Sequence, residues 1–180
     1  HNGFVSRELS ETAKGMKNKD LKEFYHYYIS DQCPENIRPV TDDLFKQMLS
    51  FATELLNWVQ QHCPAEVQEK FSMPLSDMIH NSPRNLLRFI NYPPLDGSED
   101  ADAIRAAAHG DINLLTVLPS ASEPGLQVLT KEGDWMDVPY GTGYLIVNIG
   151  DMLEECSGGY YKSTLHRVVN PEGADMTKAR

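Results

Sequence analysis

Apolar residues recur at steps of three and four across residues 41–63, and that spacing predicts one long amphipathic helix. Leu44, Met48, Ala52, Leu55 and Val59 form a stripe, which Phe45, Leu49 and Leu56 widen. Thr41 is placed to be the N-cap, Asp42 and Asp43 sit where the helix dipole favours anions, and Pro64 stops the helix. The stripe reads as a face packed on a sheet, with a partner-helix surface as the alternative. Shorter helices are expected over 65–71 and 75–80. Upstream, the aromatic run Phe24-Tyr25-His26-Tyr27-Tyr28 fits either a strand or a helical turn, and Pro34 and Pro39 end it.

The pattern changes near residue 83. Beyond it, short apolar runs alternate with turn residues. Strands are predicted over 86–92, 112–118, 126–129, 135–138, 143–149 and 164–169. Gly133 lies between the third and fourth, so these two read as a hairpin. Such spacing points to a sandwich, barrel or jelly roll rather than a parallel sheet with helical crossovers.

Composition narrows the function classes. The chain has 180 residues, with 41% apolar and 23% charged, enough to build a core. Its 26 acidic and 16 basic side chains give a formal charge of −10. That balance argues against nucleic acid or an anionic membrane as the main partner. The surplus lies mostly in the second half, where residues 91–180 carry 6 basic and 14 acidic side chains. No apolar run approaches the roughly 18 residues of a membrane span. Cys33, Cys63 and Cys156 are odd in number and far apart, which argues against a disulfide framework and a Cys-rich zinc site and fits a reducing compartment such as the cytoplasm.

The candidate chemistry starts at His109-Gly110-Asp111. On a strand, residues i and i+2 face the same way, roughly 6.5 Å apart, so an imidazole and a carboxylate could converge on one cation. A His–Asp hydrogen bond at a strand start would account for the same tripeptide. A third ligand must come from elsewhere, and His166 in a strand-like run is the candidate, with 54 residues between it and Asp111. Two histidines and a carboxylate on one face of a metal suit a non-haem Fe(II) oxygenase, although zinc accepts the same set. His26, His62 and His80 lie outside any such spacing, and Asn148 and Asp151 read as strand-end and turn residues. Thr116 and Leu115 could line a pocket, since alternation along the strand puts Leu115 on the ligand face, or they could fill the core.

The stretches 105–118, 124–128, 142–151 and 159–168, which carry His-Gly-Asp, Pro-Gly-Leu-Gln-Val, Val-Asn-Ile-Gly-Asp and Leu-His-Arg-Val, resemble the iron- and 2-oxoglutarate-dependent dioxygenase superfamily. The likeness is to its isopenicillin N synthase-like branch. Arg88-Phe-Ile-Asn-Tyr92-Pro-Pro and Asp20-Leu-Lys-Glu23 extend it upstream. The resemblance implies a double-stranded β-helix, a cupin-like jelly roll of mixed α and β structure with a mainly β core, backed by the long helix. It implies residues 1–85 as a helical and irregular N-terminal region and 86–180 as the oxygenase core, together one domain. On this reading the region is incomplete at its start and the core at its end, so 180 residues is a lower bound on the native length.

Carried over by position, the resemblance makes His109, Asp111 and His166 the iron ligands. Arg180 would be the anchor for the distal carboxylate of 2-oxoglutarate, and Tyr92 a second co-substrate contact. Fe(II), 2-oxoglutarate and O2 are the implied cofactor and co-substrates, with ascorbate as an optional reductant. The implied activity is oxidation, usually hydroxylation, of a small molecule with release of succinate and CO2. Two alternatives stay open: an isopenicillin N synthase-like oxidase that does not use 2-oxoglutarate, and a jelly-roll module that binds metal without redox activity. The substrate and the oligomeric state are not legible.

Overall fold

The computed structural model describes residues 3–9, 20–29, 33–97, 99, 103–170 and 178–179. Its longest element is helix α1, Arg38–His62. The helix starts three residues before the expected N-cap. Proline is tolerated in a first helical turn, because its missing N–H would have no intrahelical partner there, so Pro39 opens the helix instead of preceding it. Thr41 is therefore not a cap; it is buried inside the first turns. The C-terminus falls where Pro64 holds Cys63 in an extended conformation. Helices α2, Ala65–Gln68, and α3, Leu75–Ile79, follow close to their expected positions.

The aromatic run resolves as a strand. Strands β1, Gly3–Val5, β2, Glu23–Tyr27, and β3, Leu87–Asn91, form an antiparallel sheet in that order. Tyr25 faces Phe89 and Tyr27 faces Leu87, so the pairing of β2 with β3 crosses the boundary expected near residue 85. The first 85 residues thus contribute strands as well as helices.

The remaining strands are β4, Ala106–His109; β5, Leu115–Pro119; β6, Leu126–Leu129; β7, Trp135–Asp137; β8, Leu145–Ile149; and β9, His166–Val168. They form one antiparallel sheet in the order β4-β9-β6-β7 and a second pair, β5-β8. The predicted hairpin is β6–β7. The architecture is a jelly roll of mixed α and β structure, mainly β, with α1 behind it. Helix α4, Asp151–Cys156, sits directly after β8, where the sequence pattern had suggested only a turn.

Helix α1 packs at both ends. Near its start, Phe45 meets Tyr27 edge-on at 6.0 Å and shares a core with Cys33. Near its end, Leu56 packs with Leu75 and Leu153, joining α1 to α3 and α4 and to the flank of β5–β8. Leu56 is fully buried, so Leu56→Ala should cost about 2–5 kcal/mol, partly transfer energy and partly the cavity. Chemical denaturation should show this as a lower midpoint with an unchanged slope. A loss under about 1 kcal/mol would mean the site collapses freely around the smaller side chain.

Candidate metal centre

His109 closes β4, and His166 opens β9. The two are direct cross-strand partners, with a register irregularity between Ala106 and His109. Their rings lie 4.4 Å apart, tilted rather than stacked. Each ring is oriented from behind. His109 Nδ1 lies 2.7 Å from the Ala107 carbonyl oxygen, and His166 Nδ1 lies 3.2 Å from that of Thr164. A carbonyl can only accept, so Nδ1 carries the proton in each ring and Nε2 keeps its lone pair for a cation.

Asp111 is not on the strand. The chain leaves β4 at Gly110 and bends over 112–114 before β5 begins. The loop packs closely at Gly110, where a Cβ would lie 3.0 Å from Asp151 Oδ1 and 3.2 Å from Ser163 Oγ, both movable side-chain ends. The bend, rather than strand alternation, brings the carboxylate round. Its Oδ1 lies 3.8 Å from His166 Nε2, too far for a hydrogen bond. The three side chains therefore converge on a common point, with their ligand atoms all within 4.8 Å of one another.

The other carboxylate oxygen is fully engaged. Asp111 Oδ2 accepts from Thr116 Oγ1 at 2.5 Å and from Asn148 Nδ2 at 2.8 Å. Thr116 and Asn148 are themselves cross-strand partners on β5 and β8. Asn113 Nδ2 donates to Thr116 Oγ1, which directs the threonine proton towards the carboxylate. Burial alone would push the Asp111 carboxyl up, but the bonds from Asn148 and Thr116 and the neighbouring histidines outweigh it and hold it below the usual range. The group is thus ionised at neutral pH, with one oxygen tied back and one presented.

Two imidazole lone pairs and one carboxylate oxygen form the donor set of a two-histidine, one-carboxylate site, which leaves coordination positions for other ligands. The residues fit a divalent iron. Losing one donor to Oδ2 should weaken the site. Asn148→Ala is expected to reduce Fe(II) affinity about 10–100-fold, the usual cost of removing a partner that orients a ligand. Anaerobic equilibrium dialysis measures it, and unchanged affinity would rule out a role for Asn148 in holding the carboxylate.

Other expected site residues fall differently. Leu115 does not face the ligands; it packs with Leu114 and Ile149 into the core around Leu56. The bend over 112–114 shifts the alternation by one residue, so Thr116 takes the inward position. Tyr92 lies just past β3, with the Arg105 guanidinium 5.9 Å from its ring centre. Burial and the nearby Asp20 charge push its hydroxyl up to about 12. Arg105 is itself fully buried, bonded to Asn170 Oδ1 and the Pro93 carbonyl. Arg180 lies outside the described residues, as does the turn expected over 171–175. Among the described residues, His109, Asp111 and His166 make the one cluster suited to a metal. Sequence reasoning missed the roles of Asn148 and of α4. An asparagine within the otherwise apolar run Leu-Ile-Val-Asn-Ile was the available signal for the first.

The family model of the 2OG-Fe(II) oxygenase superfamily matches residues 83–178. The chain is 38% identical over 172 residues to isopenicillin N synthase of a Flavobacterium strain, covering 92% of this chain and 46% of that protein. It is 31% identical over 152 residues to a 2-oxoglutarate-dependent dioxygenase of Monascus ruber, covering 81% and 44%. A solved structure from Shewanella oneidensis, described as an oxygenase, superposes with a TM-score of 0.89 at 49% identity, over all of this chain and 63% of that one. The chain spans less than half the length of these two curated relatives. By the match across its second half and the iron-type ligand set, the chain belongs to the 2OG-Fe(II) oxygenase superfamily.

Proposed function

We propose that the protein is an Fe(II)- and 2-oxoglutarate-dependent oxygenase that oxidises a small molecule and releases succinate and CO2. The observation that carries this reading is the convergence of His109, Asp111 and His166, each held from behind. Bound iron would supply the activation of O2 and the oxidation of substrate. The chain's own residues supply the rest. The carbonyls of Ala107 and Thr164 fix both imidazoles in the tautomer that offers Nε2. Asn148 and Thr116 keep Asp111 ionised and present it through one oxygen. In this reading Tyr92 and Arg180 contact the co-substrate. A planar guanidinium suits the distal carboxylate of 2-oxoglutarate, because it pairs two oxygens at once.

A cytoplasmic setting accords with three free cysteines, and none of the described helices is long and apolar enough to cross a membrane. The test is direct. The purified protein with Fe(II) under air should convert 2-oxoglutarate to succinate, slowly even without substrate. Binding of Fe(II) without binding or consumption of 2-oxoglutarate would sink the reading.

A second reading has its own support in the 38% identity to isopenicillin N synthase. In it, the same triad serves an oxidase that takes no 2-oxoglutarate. An anaerobic Fe(II) complex with 2-oxoglutarate should show a visible charge-transfer band in the first reading and none in the second.

A further inference from the structure

We infer that Asp20, held in a buried ion pair with Lys22, is a positioning residue for the metal ligand His109 through the hydrogen bond its side-chain oxygen accepts from Ala107. Only 4% of Asp20 and 3% of Lys22 is exposed, and Lys22 Nζ lies 2.8 Å from Asp20 Oδ2. The other carboxylate oxygen, Asp20 Oδ1, accepts the Ala107 N–H at 3.0 Å. The Ala107 carbonyl, in turn, accepts the Nδ1 proton of His109 at 2.7 Å. Both polar groups of this one strand residue are thereby used, one by the ion pair and one by the ligand.

The arrangement answers a problem of the fold. Strand β4 is at the edge of its sheet, four residues long, and its register against β9 shifts between Ala106 and His109. Ladder hydrogen bonds therefore give Ala107 little support just before the ligand. Residues 20–22 lie along that edge instead, with the Leu21 N–H bonded to the Ile104 carbonyl at 3.1 Å. A side-chain oxygen buried at that edge takes the Ala107 N–H in place of a ladder bond and is sheltered from water. Lys22 offsets the cost of keeping the Asp20 carboxylate charged. The pair contributes geometry rather than net stability, since apolar replacements of similar volume are often neutral.

This inference rests on the reading that His109, Asp111 and His166 hold the metal. The test compares two double variants by anaerobic Fe(II) equilibrium dialysis, with the absorption of the Co(II)-loaded protein as a second readout of ligand geometry. Asp20→Asn with Lys22→Met removes both charges but keeps an acceptor for Ala107; it should bind within about twofold of the parent and leave the Co(II) bands unchanged. Asp20→Leu with Lys22→Met removes the acceptor; it should bind at least tenfold more weakly, in the range seen when a ligand's supporting partner is lost, with shifted bands. Should the leucine variant not fold, Asp20→Ser with Lys22→Met, whose hydroxyl is too short to reach Ala107, takes its place with the same expectation. A folded acceptor-free variant with parental affinity and parental bands would overturn the proposal. Parent protein that binds no Fe(II), or His109→Ala that binds as well as the parent, would overturn the metal-site reading and this inference with it.

Discussion

Asp111→Ala should abolish iron retention and turnover while the chain stays folded. Asp111 supplies the only carboxylate of the triad, so the variant keeps two of the three donors and loses the one anionic ligand that offsets the cation's charge. Affinity should fall by at least about 100-fold, beyond the range for a supporting residue. The structural cost is smaller. Thr116 and Asn148 lose their shared acceptor, which costs about 1–3 kcal/mol where such groups stay dry. Asp111 is a fifth exposed, so water can replace part of the loss. Far-UV circular dichroism should match the parent, and the melting temperature should drop by less than about 10 °C. Equilibrium dialysis, succinate release and a thermal melt separate the two effects. Parental turnover in a folded Asp111→Ala protein would remove the triad assignment.

The contrast between Asp111 and Leu115 shows how far the sequence carried. Residue types and spacing were enough to nominate His109, Asp111 and His166, because metal chemistry restricts both. Strand parity was not enough to say which neighbour points inward. Parity from Asp111 to Leu115 holds only if the chain is extended throughout, and it bends over 112–114. That bend is set by bonds from α4, a helix with no clear apolar period in six residues. The long helix teaches the same lesson. Residues Leu44, Met48 and Leu55 share its apolar side, yet the buried positions are Thr41, Phe45 and Leu56. Periodicity locates a face to within about one residue; the two separate cores at its ends choose the centre line. The aromatic run at Phe24 was ambiguous because its partner strand lies more than sixty residues downstream, where no local pattern reports it. Asp20 and Lys22 were unreadable for the same reason, since a buried pair and a solvated one look identical in sequence.

The two glycines beside the site should respond very differently to a single methyl group. Gly150 has extended backbone angles that any residue adopts, so its requirement is one of space. A Cβ there would sit 2.1 Å from the Asn113 carbonyl oxygen and 2.3 Å from Asn113 Oδ1. The first of these is backbone, and it is pinned by the Met152 N–H at 3.1 Å. The neighbouring bonds, Gly150 N–H to the Leu114 carbonyl and Asp151 N–H to the Asp111 carbonyl, hold the same two segments together. Gly150→Ala must push them apart or unseat Leu153 from the core below. Overpacking costs about 1–3 kcal/mol and each weakened bond about 1 kcal/mol more, so a loss of about 3–5 kcal/mol is expected. Because the Asp111 carbonyl is one of the anchored groups, Fe(II) affinity should fall together with stability. Gly110→Ala is the control. Its Cβ would meet only the side-chain ends of Asp151 and Ser163, at 3.0 and 3.2 Å, and both can rotate away. It should cost about 1 kcal/mol or less and leave the metal in place. Urea denaturation and Fe(II) dialysis on both variants decide the matter: equal, small effects would mean that α4 does not grip the Asp111 loop, whereas a large loss confined to Gly150→Ala would make the first turn of α4 the support on which the carboxylate ligand depends.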